Sequence, residues 1–388
     1  MRLITKTQWM VLVDLLLPAA ALTFLLPINP SISSIPSVLW VLLQLTFAPN
    51  DRRWAAWPMV FVLLLFSRSW WLHEMPHPGA AQDGLLLVGA LMAAACLPAT
   101  RWTWLLRLPL LVLPVLLFEM GSKPWTPNPL AGVNQGGFVL GLILIVALAW
   151  FWQAKQAQWQ RLLAGGATVL AGVMVWQTGS RAAVVATVVS AALVWIKEGS
   201  CVRVIWKRGL LLMGFGVVAL VAKQLLRPSS TGIPGIHLTS DSGRLALAQC
   251  YAALPFSGNN RFVYGIGFDR AGQFCADPIR HGMGVSMHGG VADHSHNMFL
   301  QLFASTGFLG LLGFLLLLAM LFQAWHISSS AMDAYPRQVG QMVLVYTMIQ
   351  GCLDLSILHW PVTLVLSGVL LGIPLSWQSA WPHVMKQN

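Results

Sequence analysis

The sequence predicts an all-α polytopic membrane protein of about twelve transmembrane helices, and three observations carry that prediction. Only 9% of the 388 residues are charged and 57% are hydrophobic, whereas a soluble domain is ~25% charged. Apolar runs near the ~20 residues that cross a bilayer recur along the whole chain. Lys and Arg gather on alternate connections between those runs, the bias that sets orientation in a membrane. The net charge of +11 would suggest nucleic acid in a soluble chain. Here topology accounts for it, and no nucleic-acid partner is expected.

Hydropathy places the spans near 9–26, 35–48, 57–72, 84–98, 102–118, 136–152, 162–176, 182–196, 209–226, 297–324, 338–356 and 360–377. The N-terminus is basic, then apolar. It shows no small-residue cleavage site and further spans follow, so it reads as a retained first span. The second, fourth and eighth spans are short. The fifth contains Arg107 and two prolines, so tilt, kinks or partial re-entry are expected there. With the N-terminus in the cytoplasm, thirteen Lys and Arg fall on cytoplasmic segments and three (Arg68, Lys123 and Arg181) on short outer loops. Both termini are therefore expected inside.

This divides the chain into residues 1–226 with nine spans, a long extracytoplasmic loop over 227–296, and residues 297–388 with three spans and a cytoplasmic tail. The loop is too small to count on a core of its own and should pack on the bundle as a lid or one wall of a site. Cys250 and Cys275 share it. They form either a disulfide, in an oxidising compartment, or two free thiols. No internal repeat, P-loop, dinucleotide fingerprint or nucleotide-sugar signature occurs. Any chemistry should then use a substrate already activated and carried by lipid.

Polar groups at the outer ends of spans are informative because burial there is costly. In "QTGSRAAVV", Arg181 sits in a hairpin of a few residues. It is either an interfacial anchor or an anion clamp, since guanidinium offers a bidentate fork to phosphate. In "DSGRLALAQCYAALPF", a helix capped by Asp241 or Ser242 puts Arg244 in its first turn, where a cation opposes the dipole and a bound anion would relieve it. Arg261 in "RFVYGIGF", a turn rich in Gly and aromatics, is a weaker candidate. "HSHNMFLQLFASTGFLG" carries His294 and His296. An H-x-H pair can bind zinc, but a site needs three or four ligands, and no other loop histidine has ligand spacing. No metal is expected. If a helix starts near Asn297, His296 lies at its positive end, where a neutral imidazole can act as general base. A satisfied histidine at a helix start remains the plainer alternative. "PWTPNPLAGVNQGGF", with Asn134 and Gln135, and "CLDLSILHWP", with Asp354 and His359, can line a pocket or merely hydrogen-bond at the interface.

The run "HSHNMFLQLFASTGFLG" resembles the signature of O-antigen ligases and their polymerase relatives, a His-Asn followed by Gly. Here these are His296, Asn297 and Gly307, a register that selects His296 over His294. Arg181 in "GSRAA" and Arg244 in "SGRL" are similar to the family's outer-face arginines. The resemblance is strong over residues 176–320 and rests on hydropathy alone over the first 120. No Thr follows the Gly of "GFLG", which blurs ligase against polymerase. The resemblance implies a glycosyltransferase C-type fold in the bacterial inner membrane with the site facing the periplasm. It implies cofactor-free, metal-independent transfer of a glycan from undecaprenyl pyrophosphate to lipid A–core or another glycan acceptor, in contact with membrane lipids. Arg181 and Arg244 would bind pyrophosphate and His296 would activate the acceptor, with His294, Asn297 and Arg261 as further substrate-binding candidates. The alternatives are an O-antigen or exopolysaccharide polymerase, a protein O-oligosaccharyltransferase and, more distantly, an anion transporter. A transporter should show charged or broken mid-membrane helices in matched halves. Asp14 and Arg107 are the only charged candidates for that.

Overall fold

A computed structural model describes residues 6–26, 30–47, 78–122, 132–153, 157–197, 242–258, 260–267, 271–272, 274–275, 295–328, 332–358 and 360–378. Among them every regular element is helical. In chain order the helices are α1 (Lys6–Asp14), α2 (Leu16–Leu25), α3 (Pro30–Phe47), α4 (Pro78–Ala95), α5 (Trp102–Leu105), α6 (Val112–Ser122), α7 (Val133–Trp152) and α8 (Gln158–Thr178). They continue as α9 (Arg181–Lys197), α10 (Ser242–Ala253), α11 (Arg261–Tyr264), α12 (Met298–Ser328), α13 (Ala334–Leu353), α14 (Pro361–Leu371) and α15 (Leu375–Gln378). Among the described residues three stretches are long and apolar enough to cross a bilayer, Ala99–Glu119, Val133–Trp152 and Met298–Trp325, and shorter apolar helices accompany them. The protein is an all-α membrane protein. Ten of the twelve expected spans fall on helix. Those near 57–72 and 209–226 lie outside the described residues, as does most of the long loop.

The interruptions have local causes. The first span breaks between α1 and α2 because Pro18 has no N–H to give the carbonyl of Asp14. The fifth breaks around Arg107 and Pro109 into α5, a 3-10 turn over Leu108–Leu111, and α6. Close packing of the bundle relies on small residues, as it must where lipid is as apolar as leucine. A Cβ on Gly368 would lie 2.7 Å from that of Ala90, so α14 and α4 nearly touch backbone to backbone. Gly137 of α7 likewise admits the α8–α9 hairpin, where a Cβ would meet that of Ser180 at 2.6 Å.

A buried carboxylate joins the early helices. Asp14, fully buried, pairs with Arg101 and accepts hydrogen bonds from Gln44 Nε2 at 2.8 Å and Trp40 Nε1 at 3.3 Å. Arg101 also donates to the carbonyl of Met10. With both Asp14 oxygens engaged, this cluster reads as an internal tie rather than a carrier site. Arg107, the other charged candidate, lies over the rings of Trp150 and Tyr335 at 5.1 and 5.9 Å.

The helix that follows the long loop, α12, is sharply bent. Gly307 takes φ 68°, ψ −168° inside it. Two contacts with α13 show how far it bends. Met298 packs where a Cβ on Gly351 would be, and Trp325 packs on Gly340. Between those contacts α13 climbs about 16 Å, while α12 would need about 40 Å if straight. The segment before Gly307 must therefore run obliquely. The stretch from Phe308 to Ser328 is about 31 Å long, enough on its own to match ~30 Å of hydrocarbon.

The break at Gly307 is closed by the end of the long loop. Ile266 N–H donates to the carbonyl of Ala304 at 3.0 Å and Gly267 N–H to that of Ser305 at 2.9 Å, replacing helical donors that the bend removes. The approach is so close that a Cβ on Gly265 would strike the backbone of Ser305 and Thr306. One on Gly307 would strike Val263, Tyr264 and Gly265. Both glycines have positive φ, which side chains rarely tolerate. Cys250 and Cys275 are joined as a disulfide. With Leu247, Tyr251, Leu254, Ile266 and Ala271 they form a small core against Ala304 of α12. The described part of the loop thus packs on the bundle, as its size requires.

Candidate functional site

The site is built on the chain entry to α12. Ser295 brackets His296 from both sides. Its hydroxyl donates to the carbonyl of Asn297 at 2.6 Å and accepts from the N–H of Asn297 at 3.2 Å. Its own N–H donates to Gln301 Oε1 at 3.1 Å. This tight turn holds His296 at φ 54°, a left-handed conformation uncommon for a non-glycine residue and frequent at functional positions.

Asn297 is the N-cap. Its Oδ1 accepts from the N–H groups of Phe299 and Leu300, each at 3.0 Å, satisfying two of the helix's free donors. Its Nδ2 donates to the carbonyl of Cys352 at 3.0 Å, tying the start of α12 to the end of α13. Both ends of the amide are thus engaged within the chain.

The bond to Cys352 brings the turn after α13 against the imidazole. His296 Nδ1 lies 3.1 Å from Asp354 Oδ1, 58 residues away in sequence. Asp354 is fully buried while the His296 side chain keeps 26% exposure. The other carboxylate oxygen, Oδ2, accepts from Ser356 Oγ. Ser356 Oγ in turn accepts from Gln350 Nε2 at 3.4 Å. A carboxylate can only accept, so the arrangement assigns a ring proton to Nδ1. A buried carboxylate against one nitrogen of a partly exposed imidazole is the pairing that orients a general base. Sequence placed Asp354 at the outer end of a hairpin with interfacial hydrogen bonding as its plainer reading. Nothing in the spacing linked it to His296, and Ser356 and Gln350 went unnoticed.

Arg181 begins α9. Gly179, with φ 76°, ends α8 in a left-handed cap, and Ser180 Oγ accepts from Ala183 N–H to start α9 within two residues. Arg181 is exposed there. Its end of the bundle is the one carrying the His296–Asp354 pair. Ser180 abuts Gly137, Tyr346 OH donates to the carbonyl of Phe138 at 3.2 Å, and α13 runs on from Tyr346 to Asp354. Arg244 lies in the first turn of α10, as its sequence predicts. Arg261 is taken up within the loop, donating to Ser257 Oγ at 2.9 Å and lying 4.9 Å over the Phe274 ring. His294 and His359 lie outside the described residues. Gln135 is buried at the entrance of α7. Among the described residues no three His, Cys, Asp or Glu side chains group as metal ligands.

A family model described as O-antigen ligase matches residues 166–315, a stretch that contains Arg181, Arg244, His296 and Gly307. No curated protein matches the chain.

Proposed function

We propose, from the match of residues 166–315 to a family model described as O-antigen ligase, that this chain is a membrane glycosyltransferase that moves a glycan from undecaprenyl pyrophosphate to an acceptor hydroxyl, with O-antigen ligation to lipid A–core as its reaction. The observation that carries the reading is His296, partly exposed, with Nδ1 held by the buried Asp354. In the proposed step the acceptor hydroxyl gives its proton to His296 Nε2 as its oxygen attacks the anomeric carbon of the donor. The bond from that carbon to the pyrophosphate oxygen breaks, and the leaving group departs as the anion. Asp354 faces the imidazolium that results, so charge is stabilised where it develops. Arg181 and Arg244 meet the leaving pyrophosphate, a role suited to guanidinium forks. That would supply the charge neutralisation a divalent metal gives in other enzymes.

The disulfide between Cys250 and Cys275 supports a loop facing the periplasm, since such bonds persist in oxidising compartments. Orientation by Lys and Arg points the same way, with both termini in the cytoplasm of a bacterial inner-membrane protein. The test is restoration of long-chain lipopolysaccharide in cells lacking their own ligase. Wild type should restore it and His296→Ala should not, and transfer by purified protein should survive chelation. Equal restoration by both would remove His296 as base. Failure of both, with polymer length in the native host depending on the gene, would assign the chain as a polymerase.

A further inference from the structure

Four phenylalanines meet where the long loop reaches the bend of α12. Phe256 and Phe262 come from the loop, Phe303 from the oblique segment before Gly307, and Phe308 from the segment after it. Ring centroids lie 5.5 Å apart for Phe256–Phe262, 6.0 Å for Phe256–Phe303 and 5.8 Å for Phe262–Phe303. Phe262 stacks on Phe308 at 5.8 Å, with 9° between the planes. Such a cluster would ordinarily be a core. Yet Phe256 is 69% exposed, and Phe262 and Phe308 are exposed too. An apolar patch of this kind marks a surface that something covers.

Continuity says what covers it. The exposed side of α12 runs on from Phe308 through Leu312, Leu315, Leu316 and Phe322. That is the side a membrane helix turns to hydrocarbon. Since Phe308–Ser328 matches the hydrocarbon thickness by itself, Phe308 marks its outer edge. Phe256 and Phe262 then lie at the boundary between acyl chains and headgroups, where aromatic rings concentrate. Arg261 stands in the same turn, beside Ser257 and Phe274, placed as a cation is in an interfacial foot that faces lipid phosphate.

We propose that residues 254–258 and 260–264 form a monotopic foot immersed in the outer leaflet, with Phe256, Phe262 and Phe308 among phospholipid acyl chains. The foot sets the depth of the loop and so seats Gly265, Ile266 and Gly267 on the bend that carries His296. This rests on α12 crossing the membrane, not on the reaction assigned above.

The test uses the full chain in nanodiscs of phosphatidylethanolamine and phosphatidylglycerol. Cys96, Cys201 and Cys352 are replaced by serine, the disulfide is kept, and a nitroxide is attached at Phe256→Cys or Phe308→Cys. Leu316→Cys serves as the lipid-facing control and Gln158→Cys as the aqueous one. Power saturation should show a several-fold excess of oxygen over nickel-chelate accessibility at 256 and 308, as at 316, and the reverse at 158. Nickel access at 256 equal to that at 158 would overturn the foot. Protection from both reagents would mean that protein covers the patch, and would overturn it too. Loss of oxygen access only on adding a polyprenyl-pyrophosphate glycan would reassign the patch to the donor's chain. None of these outcomes depends on transfer activity, so the foot and the reaction can fail separately.

Discussion

Replacing Asp354 by Asn and by Ala should give two very different enzymes. In the native site Asp354 accepts twice, from His296 Nδ1 and from Ser356 Oγ. Asparagine has one acceptor and one donor on its amide. The acceptor can stay on His296 if the amide donates to Ser356 Oγ, which then needs somewhere to send its own proton. Gln350 Oε1 is buried without a protein donor among the described residues, and Gln350 already reaches Ser356 through its other amide atom. The asparagine variant can therefore keep the tautomer and lose only the charge. A hydrogen bond to a charged group contributes ~1.5–3 kcal/mol and a neutral one ~0.5–1.5 kcal/mol. The difference between the midpoints, about 1.2 kcal/mol, is roughly eightfold in rate. Asp354→Ala leaves the Nδ1 proton without an acceptor and frees the ring, and should approach His296→Ala, a loss of ~10²–10⁴-fold. The assay is single-turnover transfer from a lipid-linked glycan in nanodiscs, resolved on gels. If Asp354→Ala keeps half the native rate while His296→Ala is inactive, the carboxylate does not orient the base. If Asp354→Asn is as slow as His296→Ala, the rearrangement through Gln350 is wrong.

Further outcomes are expected elsewhere in the molecule. Gly307→Ala should destabilise the protein by about 2–4 kcal/mol, since it adds a Cβ at positive φ against the loop backbone; thermal unfolding in detergent checks this. Reducing Cys250–Cys275, which closes a separation of 25 residues, should cost about 3.5 kcal/mol, read as a lower Tm with reductant that Cys250→Ser alone reproduces. Arg101→Ala strands the buried Asp14 and should cost about 3–5 kcal/mol, whereas Arg181→Ala should leave Tm unchanged and slow transfer. A native Tm for Arg101→Ala would show that Asp14 needs no cation. Asn297→Ala should lose about 1 kcal/mol of capping and slow transfer, and Asn297→Asp should recover the stability but not the tie to Cys352.

Much of this architecture is readable from sequence because lipid imposes a simple requirement on span length. The runs at 133–152 and 298–325 have too few charges to be anything but buried or lipid-facing. The resemblance of the His296-Asn297 to Gly307 register to the O-antigen ligase signature points to one histidine of two. The reason for that glycine is not readable, because a lone glycine in an apolar run looks like tolerated packing. Only the fold shows that two glycines, 265 and 307, must pass within contact of each other. Asp354 is hidden for a different reason. A carboxylate at a span end has many uses, and its partner lies 58 residues earlier. The cysteine pair is compatible with two states in sequence, and only the fold, which joins Cys250 to Cys275, decides between them.

The pair between Asp14 and Arg101 also has a meaning in time. The first helix enters the membrane carrying a carboxylate whose cation is 87 residues further along the chain. At ~5–20 residues per second of synthesis that is a wait of roughly 4–17 s. Trp40 and Gln44 arrive first and can hold Asp14 by neutral hydrogen bonds. The first helix thus gains its buried cation only after the stretch carrying Arg101 has emerged, so its charge pairing depends on a segment made well after it.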